Sequence, residues 1–347
     1  MTKIVVDRAI PFIEGVFEPY ATVQYMDGKD ISNGDLTDAD ALVIRTRTRC
    51  DAALLHDTAV RLIATATIGT DHIDFDYCRE RGIYVQNAAG CNAGGVMNYV
   101  FSALYGISAR KARSLTGATF GIIGVGAVGR RVEQMARYLG FKVYRCDPPR
   151  AAAEGADGFC SQEELLRNCQ IVTMHVPLDA GTRGMADDGF FAQMLPGAVF
   201  INSARGEIVD DEALLRARPK LGAVIIDTWN GEPRINKALM DQVDIATPHI
   251  AGYSDQGKQN GTAAAVRAVA RFFGFTELYE FFPVSDDIEN LGAVKLDLRG
   301  MSQGEIASVF QYNYPIFTDD FMFRVNPDSF EYLRTNYKYR REFYVDL

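Results

Sequence analysis

The sequence lacks the features that mark several classes of protein. No apolar stretch approaches the roughly 18 residues needed to span a bilayer. The amino-terminal MTKIVVDRAI leads directly into a strand-like pattern, without the apolar run and small-residue cleavage site of a signal peptide. The six cysteines are scattered, with no CxxC pair and no Cys/His cluster spaced to bind zinc. We therefore expect a cytoplasmic protein with reduced thiols, no membrane contact and no metal site.

An excess of basic residues is also missing. Lysine and arginine number 36 against 45 aspartates and glutamates, which gives a formal charge of −9. Binding to a phosphate backbone needs a field of the opposite sign, so nucleic acid is excluded as the main partner. A small anionic ligand can still bind in a local pocket. Histidine is scarce as well, with only four in the chain, which leaves few candidates for proton transfer near neutral pH.

What is present predicts an α/β protein of two or three domains. The first ninety residues alternate strand-like runs (KIVV, ALVIRT, RLIATAT, IYVQN) with helical stretches, as in a parallel sheet covered by helices. A second series starts at Thr119 with the buried-strand runs TFGIIG, KVYRCD, IVTMHV, AVFINSA, AVIIDTW and VDIATPH. Apolar spacing predicts a one-faced helix over 93–108, with Asn92 as its N-cap, and a long helix over 255–273.

Composition changes after residue 275. Residues 276–347 hold fifteen of the thirty-eight aromatic residues of the chain. AVKLDL and FMFRV have strand-like patterns, and PDSFEYLRTNYKYRREF has a helical one. This density of aromatic side chains predicts a surface that docks on a second subunit. The alternative is a small appendage that packs on its own chain.

A dinucleotide site is indicated by GIIGVGAVGRRVEQMARYLGFKVYRCD. Gly124, Gly126 and Gly129 follow a strand and open a helix, where they permit a tight turn, close approach of a pyrophosphate and close packing of helix on strand. Asp147 ends the next strand, where a carboxylate can accept hydrogen bonds from both ribose hydroxyls. The same carboxylate disfavours a 2′-phosphate, so we expect NAD rather than NADP, although Arg145 and Arg150 nearby weaken that discrimination.

Oxidation of an alcohol by NAD also needs a group that accepts the hydroxyl proton, and histidine fits best. His56 and His72 are expected on the surface and in a turn, and His175 ends a buried strand where it can simply bond to backbone. His249 ends a strand at the carboxyl edge, where open α/β sheets bind ligands. The residues alone leave open whether it packs or moves a proton.

Two other strand ends favour the chemical role for this histidine. Arg205 in INSARGE can clamp a carboxylate, and Glu232 in DTWNGEP can hold an imidazole Nδ1–H. Both residue types are usually solvated at strand ends, which is the ordinary alternative.

Together, GxGxxG, HVPL, NSARGE, DTWNGEP and TPHIAGY resemble the D-2-hydroxyacid dehydrogenase family, over residues 3–275. The resemblance implies a Rossmann-type NAD-binding domain (93–253) inserted in a flavodoxin-like substrate domain (1–92 and 254–275). A small α+β C-terminal dimerisation domain (276–347) would follow. It implies Arg205, Glu232 and His249 as the catalytic residues. It assigns NAD contacts to Gly124, Gly126, Val128, Gly129, Asp147, His175, Val176, Ala204, Asp227 and Gly252.

Within that family, TATIGTDHID, AAGCNAG, CDPPR and the tail FEYLRTNYKYRREF are most similar to the branch that oxidises 4-phospho-D-erythronate in pyridoxal 5′-phosphate biosynthesis. The likeness implies a small phosphorylated 2-hydroxy acid as substrate, contacted by Thr46, Thr67 and Tyr253, and a homodimer held by the C-terminal domain. Asn98 and Ala89 depart from the Glu and Pro that relatives commonly carry.

The distal phosphate of such a substrate has candidate ligands in RTRTR. In an extended conformation this stretch projects alternate side chains to one side, so we hypothesise that some of Arg45, Arg47 and Arg49 bind the phosphate. Two other functions stay open. One is a family member that acts on 3-phosphoglycerate or hydroxypyruvate, and the other is an NAD-binding regulatory protein that senses redox state.

Overall fold

The computed structural model describes residues 1–283 and 292–346. The chain divides into two compact units, one built from Met1–Asn92 and Ser254–Gly292, the other from Ala93–Tyr253 and Ala293–Leu347. In the described ranges, no helix is both long enough and apolar enough to cross a membrane.

Parallel strands form the centre of each unit. The strands are β1 (Lys3–Asp7), β2 (Thr22–Met26), β3 (Ala41–Ile44), β4 (Leu62–Thr65), β5 (Tyr84–Asn87), β6 (Thr119–Ile123), β7 (Lys142–Cys146), β8 (Ile171–Met174), β9 (Val199–Asn202), β10 (Ala223–Ile226), β11 (Ile245–Ala246), β12 (Val294–Leu296) and β13 (Phe343–Val345). Every predicted strand except FMFRV is confirmed. The sequence patterns do not indicate β2 or β13.

The α-helices lie between these strands and after the last strand of each large sheet. They are α1 (Ala52–Leu55), α2 (Phe75–Glu80), α3 (Ala93–Arg110), α4 (Ala127–Tyr138), α5 (Pro148–Glu154), α6 (Gln162–Asn168), α7 (Asp188–Gln193), α8 (Asp211–Ala217), α9 (Lys237–Gln242), α10 (Asp255–Phe273), α11 (Gln303–Asn313), α12 (Ile316–Val325) and α13 (Phe330–Thr335). The helix predicted over 255–273 is confirmed as α10.

The first unit has a five-stranded sheet in the order β2-β1-β3-β4-β5. This is the flavodoxin-like order, as the family resemblance implies. The side chains of β3 and β4 are wholly buried, and α10 packs its Ala265, Val266 and Val269 into the same core as Ile4 and Val6. Ser254 caps α10 by accepting from the Gly257 N–H at 2.9 Å.

The second unit has a six-stranded sheet in the order β11-β10-β9-β8-β6-β7. The chain runs outward from β6 to β7 and then returns to β8 on the other side of β6, so the strand order reverses at β6. In open α/β sheets, ligands bind at such a reversal. This is the doubly wound, Rossmann-type arrangement that the sequence predicts. Strands β8, β9 and β10 are buried along their whole length, in agreement with their uninterrupted apolar runs.

The C-terminal segment, defined as residues 292–346, differs from the sequence-based expectation in its secondary structure. FMFRV lies in helix α12, because Ile316, Asp320 and Phe323 recur at helical spacing and are buried together. The helix predicted for PDSFEYLRTNYKYRREF is limited to α13 and a preceding 3-10 turn, and Phe343–Val345 instead forms a parallel pair with β12.

Helix α3 also differs from its predicted one-faced character. Every residue from Ala93 to Ser108 is buried. The reason is the C-terminal segment, whose Phe310 ring lies 5.1 Å from that of Tyr105 and whose Gln311 donates to the carbonyl of Ser102 at 2.7 Å. Segment 292–346 therefore packs on its own chain, in line with the appendage alternative, while several of its aromatic side chains remain exposed.

Candidate active site

The glycine-rich loop between β6 and α4 has the geometry that a dinucleotide needs. Gly124 has φ of +86°, and a Cβ there would lie 2.7 Å from the backbone of His175 and Val176. A Cβ on Gly129 would lie 2.1 Å from the Gly124 carbonyl oxygen. Gly126 has open space around it and caps α4 without any side-chain hydrogen bond, so the first helical N–H groups are available to a phosphate. The residues present thus fit NAD.

Asp147 follows β7 and joins this loop to the next helix. Its carboxylate accepts the Val125 N–H at 2.7 Å and the Arg150 N–H at 3.0 Å. Arg150 is turned toward Glu154, with an ion pair of 2.6 Å that lowers the pKa of that carboxyl. Arg145 donates to the Gly158 carbonyl at 2.9 Å. Both arginines are therefore engaged within the chain, which favours NAD over a cofactor with a 2′-phosphate.

The strand ends of the second sheet lie in one row. The register pairs Ile123 with Cys146 and Met174, Met174 with Asn202, and Asn202 with Ile226, which in turn pairs with Ala246. The predicted site residues of this unit follow within a few positions of the row. Parallel pairing thus brings the glycine loop, Asp147, Arg205, Asp227 and His249 to the same carboxyl edge.

Arg205 sits in a turn that Asn202 shapes. The Asn202 amide donates to the Arg205 carbonyl at 2.9 Å and its oxygen accepts the Ala204 N–H at 3.1 Å. Gly206 must be glycine, because a Cβ there would lie 1.9 Å from the Trp229 carbonyl carbon. The Arg205 guanidinium donates to the Ala204 carbonyl at 2.8 Å and is partly exposed. A partly exposed guanidinium at this edge can bind a carboxylate.

His249 and Glu232 form the hydrogen-bonded pair that the sequence predicts. His249 Nδ1 lies 2.8 Å from Glu232 Oε2, and Glu232 Oε1 accepts the Trp229 N–H at 2.8 Å. Burial acts to raise the pKa of Glu232, but the charge and hydrogen bond of His249 together with the Trp229 N–H bring it below its ordinary value. A carboxylate so placed fixes the imidazole tautomer with Nε2 as the acceptor.

The backbone of His249 is held by Asp227. His249 has φ of 56°, and its N–H donates to the Asp227 carbonyl at 2.7 Å. The Asp227 carboxylate accepts the N–H groups of Ile250 and Ala251 at 2.8 and 2.9 Å and the Thr247 hydroxyl at 2.7 Å. Burial raises the pKa of Asp227. Its carboxylate thus supports the histidine loop, and its contact with NAD stays a prediction.

The remaining predicted NAD contacts lie along the same edge. His175 donates its N–H to the Ile123 carbonyl at 2.7 Å, and burial lowers the pKa of its imidazole to about 3, so the ring is neutral. Val128, Val176 and Gly252 are partly exposed, whereas Ala204 is buried. Their contacts with NAD are likewise predictions.

The first unit carries the other predicted substrate residues at the carboxyl edge of its own sheet. The predicted extended form of RTRTR is wrong: β3 ends at Ile44 and a turn follows. The buried Thr48 hydroxyl donates to the Gly28 carbonyl at 2.7 Å, and Arg45 Nε pairs with the buried Asp7 at 2.9 Å. Thr46 is exposed, and the Thr67 hydroxyl lies 2.8 Å from that of Thr65.

Sequence reasoning missed a group that the C-terminal segment adds to the second unit. Arg334 donates through Nε to the Tyr253 hydroxyl at 3.0 Å. Tyr253 also packs edge-on against Tyr337 and Tyr339, with ring centroids 6.0 and 6.1 Å away. The only signal was the aromatic and basic tail itself, which does not show where it docks.

Comparisons of the sequence with known proteins show which family the chain belongs to. Residues 103–251 match the NAD binding domain of D-isomer specific 2-hydroxyacid dehydrogenases. The chain is 42% identical to an erythronate-4-phosphate dehydrogenase of Bacteroides fragilis, over 98% of this chain and 97% of that protein. It is 38% identical to the protein of that name from Ectopseudomonas mendocina, over 98% and 92%.

Solved structures show the same fold. NAD-bound 3-phosphoglycerate dehydrogenase from Entamoeba histolytica superposes with a TM-score of 0.68 at 27% identity, covering 82% of this chain and 98% of that one. D-Lactate dehydrogenase from Aquifex aeolicus gives a TM-score of 0.67 at 24% identity, covering 82% and 99%. The chain belongs to the erythronate-4-phosphate dehydrogenase family, within the D-isomer specific 2-hydroxyacid dehydrogenases.

Proposed function

We propose that this protein catalyses the NAD-dependent oxidation of 4-phospho-D-erythronate to 2-oxo-3-hydroxy-4-phosphobutanoate, a step of pyridoxal 5′-phosphate biosynthesis. Relatives of 38–42% identity over nearly the whole chain carry the name of this activity. The observation that carries the chemistry is the 2.8 Å contact between His249 Nδ1 and Glu232 Oε2 at the strand edge that bears the glycine loop.

In this reaction the C2 hydroxyl loses its proton to His249 Nε2. Glu232 accepts a hydrogen bond from the Nδ1–H of His249 and stabilises the imidazolium that forms. The C2–H bond breaks with both of its electrons leaving carbon, so that C2 and its oxygen become a carbonyl group. NAD, when bound, supplies the nicotinamide ring that accepts this hydride. Arg205 holds the C1 carboxylate of the substrate and polarises the C2 oxygen.

Arg45 is our candidate in the first unit for binding the distal phosphate. Its Nε is fixed by the buried carboxylate of Asp7 at 2.9 Å. The two terminal amino groups of a guanidinium oriented in this way are well suited to phosphate oxygens. Thr46 follows Arg45 directly, is exposed in the turn after β3, and can add a hydroxyl donor.

The proposal includes a homodimer formed through the C-terminal segment. Helix α12 exposes Phe321, Met322 and Val325 on the face opposite to its buried residues. Exposed apolar side chains on successive turns of one helix are typical of a protein–protein interface.

Steady-state assays with 4-phospho-D-erythronate and NAD test the proposed function. We expect His249→Ala to lower kcat by about a hundredfold or more, because the general base is lost. His56→Ala is the matched control, since His56 is exposed in the first unit, and should leave kcat unchanged.

A panel of 2-hydroxy acids tests the choice of substrate. A higher kcat/KM for the four-carbon phosphate than for 3-phosphoglycerate, and than for hydroxypyruvate in the reverse direction, supports the proposal. Tight NAD binding without turnover of any 2-hydroxy or 2-keto acid would instead indicate a redox-sensing regulatory protein.

A further inference from the structure

Arg334 lies beside the catalytic pair although it belongs to the C-terminal segment. It is in helix α13, and its Nε donates to the Tyr253 hydroxyl at 3.0 Å, with the guanidinium carbon 5.9 Å from the Tyr253 ring centroid. Tyr253 follows His249 by four residues. The charge of Arg334 is also among the influences that, against the effect of burial, lower the pKa of Glu232. Arg334 is therefore close to the residues that carry the chemistry.

Arg334 differs from the neighbouring arginines of the C-terminal segment in its ion pairing. Within the described residues, no carboxylate lies at ion-pair distance from Arg334, whereas Arg324 pairs with Asp320 at 2.9 Å and Arg340 pairs with Asp319. Glu232 is already occupied by His249 and the Trp229 N–H. Arg334 is only partly exposed; burial acts to lower its pKa, but Tyr253 and the charges of Glu232 and Glu331 raise it above its ordinary value. The guanidinium therefore stays charged and can attract an anion.

The donors around Arg334 have the arrangement that an anion with several oxygens requires. Nε is used by Tyr253, which leaves the two terminal amino groups of the fork, and the described residues provide no hydrogen-bond acceptor for them. The Tyr253 ring is held in place by Tyr337 and Tyr339. A guanidinium fork fixed by a packed tyrosine is preorganised for bidentate binding of phosphate.

We propose that Arg334 binds the distal phosphate of the substrate, so that the C-terminal segment sets the preference for a phosphorylated 2-hydroxy acid. This inference rests on the proposed function, whose catalytic residues already account for the carboxylate and the C2 hydroxyl. A phosphate dianion has oxygens for both terminal amino groups of the Arg334 guanidinium.

The test compares Arg334→Gln and Arg334→Lys with wild type, using 4-phospho-D-erythronate and D-erythronate, which lacks the phosphate. We expect Arg334→Gln to lower kcat/KM for the phosphorylated substrate about tenfold to a hundredfold, mainly through KM, as for loss of a charge-assisted hydrogen bond. The value for D-erythronate should stay the same, and Arg334→Lys should recover part of the loss. Arg299→Gln, which alters an exposed arginine of the same segment paired with Asp297, should behave as wild type.

Calorimetric titration of the NAD-loaded protein with inorganic phosphate keeps the inference separate from the proposed function. The phosphate Kd should rise about tenfold or more in Arg334→Gln and not in Arg299→Gln. An equal loss of kcat/KM for both substrates, an unchanged phosphate Kd, or absence of phosphate binding by wild type would overturn the role of Arg334. If wild type turns over neither substrate, the proposed function fails, while the titration still decides whether Arg334 binds phosphate.

Discussion

At the level of single residues, the fixed geometry of His249 explains why a histidine can act as a base here. Its left-handed backbone, with φ of 56°, is unfavourable for a residue with a Cβ and persists because Asp227 binds three N–H groups of the same loop. The side chain is then aimed at Glu232. Asp227 thus constrains the backbone around His249, and the Glu232 carboxylate constrains its side chain.

Replacing Glu232 by Gln should slow the reaction. The lowered pKa of Glu232 keeps it ionised at assay pH, and its negative charge stabilises the imidazolium form of His249. Without that charge the imidazolium that forms when His249 takes the substrate proton is less stable, so kcat/KM for oxidation should fall about tenfold or more. We expect kcat itself to fall as well, because the tautomer is no longer fixed.

The exposed Glu212 provides the control for this variant. Glu212→Gln should leave both kcat and kcat/KM unchanged. Equal kcat/KM in Glu232→Gln and wild type would mean that this carboxylate does not stabilise the imidazolium of His249.

The site residues could be predicted from sequence where a motif fixes the backbone. Gly124 and Gly129 have close backbone contacts that no other residue allows, and His249 and Glu232 meet as expected. Arg334 could not be predicted, because its role depends on where a distant helix packs. The predicted extended form of RTRTR is wrong for a similar reason. Its Arg45 and Thr48 side chains bond to Asp7 and Gly28, which lie far away in sequence.

At the level of secondary structure, the buried strands and the long helices could be predicted because their apolar patterns are continuous. The sequence does not indicate β2, because TVQYM is an edge strand with side chains that are at most partly buried. The aromatic residues of FMFRV have high β-propensity and predict a strand, whereas the burial of this stretch follows helical spacing. The burial of α3 on all sides depends on α11 and β13, which its own sequence cannot indicate.

Asn98 is the residue through which α3 holds the last strand, and its removal should release that strand. Its amide donates to the Phe343 carbonyl at 2.8 Å and its oxygen accepts the Phe343 N–H at 2.9 Å, all of them buried. Asn98→Ala leaves both backbone groups without partners, so the free energy of unfolding should fall by about 2–3 kcal/mol. Urea denaturation measures the loss, and hydrogen exchange at the Phe343 amide locates it.

A second asparagine in the C-terminal segment provides the comparison. The Asn336 side chain is exposed and donates to the Tyr332 carbonyl at 2.9 Å, so Asn336→Ala should cost well under about 1 kcal/mol. Equal stabilities of the two variants, or unchanged exchange at Phe343, would show that Asn98 does not anchor β13.

At the level of the whole molecule, some aromatic residues of the C-terminal segment are buried in a core and others are exposed. Phe310, Phe323, Phe330 and Phe343 are buried in the core of the second unit. Phe321 is 61% exposed and Tyr332 is 67% exposed. Packing on the chain itself therefore accounts for only part of the aromatic excess that the sequence shows, and the rest is the part that a second subunit would cover.

The proposed dimer predicts a change in mass when the exposed face of α12 is made charged. Wild type should elute in size exclusion with light scattering at twice the chain mass of 38.4 kDa. Phe321→Glu combined with Val325→Lys should shift the mass toward a single chain, because charged groups at the centre of an apolar interface lose hydration without gaining partners. Phe75→Glu removes an apolar side chain that is 44% exposed in the first unit and should leave the mass unchanged. A monomeric wild type, or a double variant that keeps the dimer mass, would show that this face of α12 does not join two subunits.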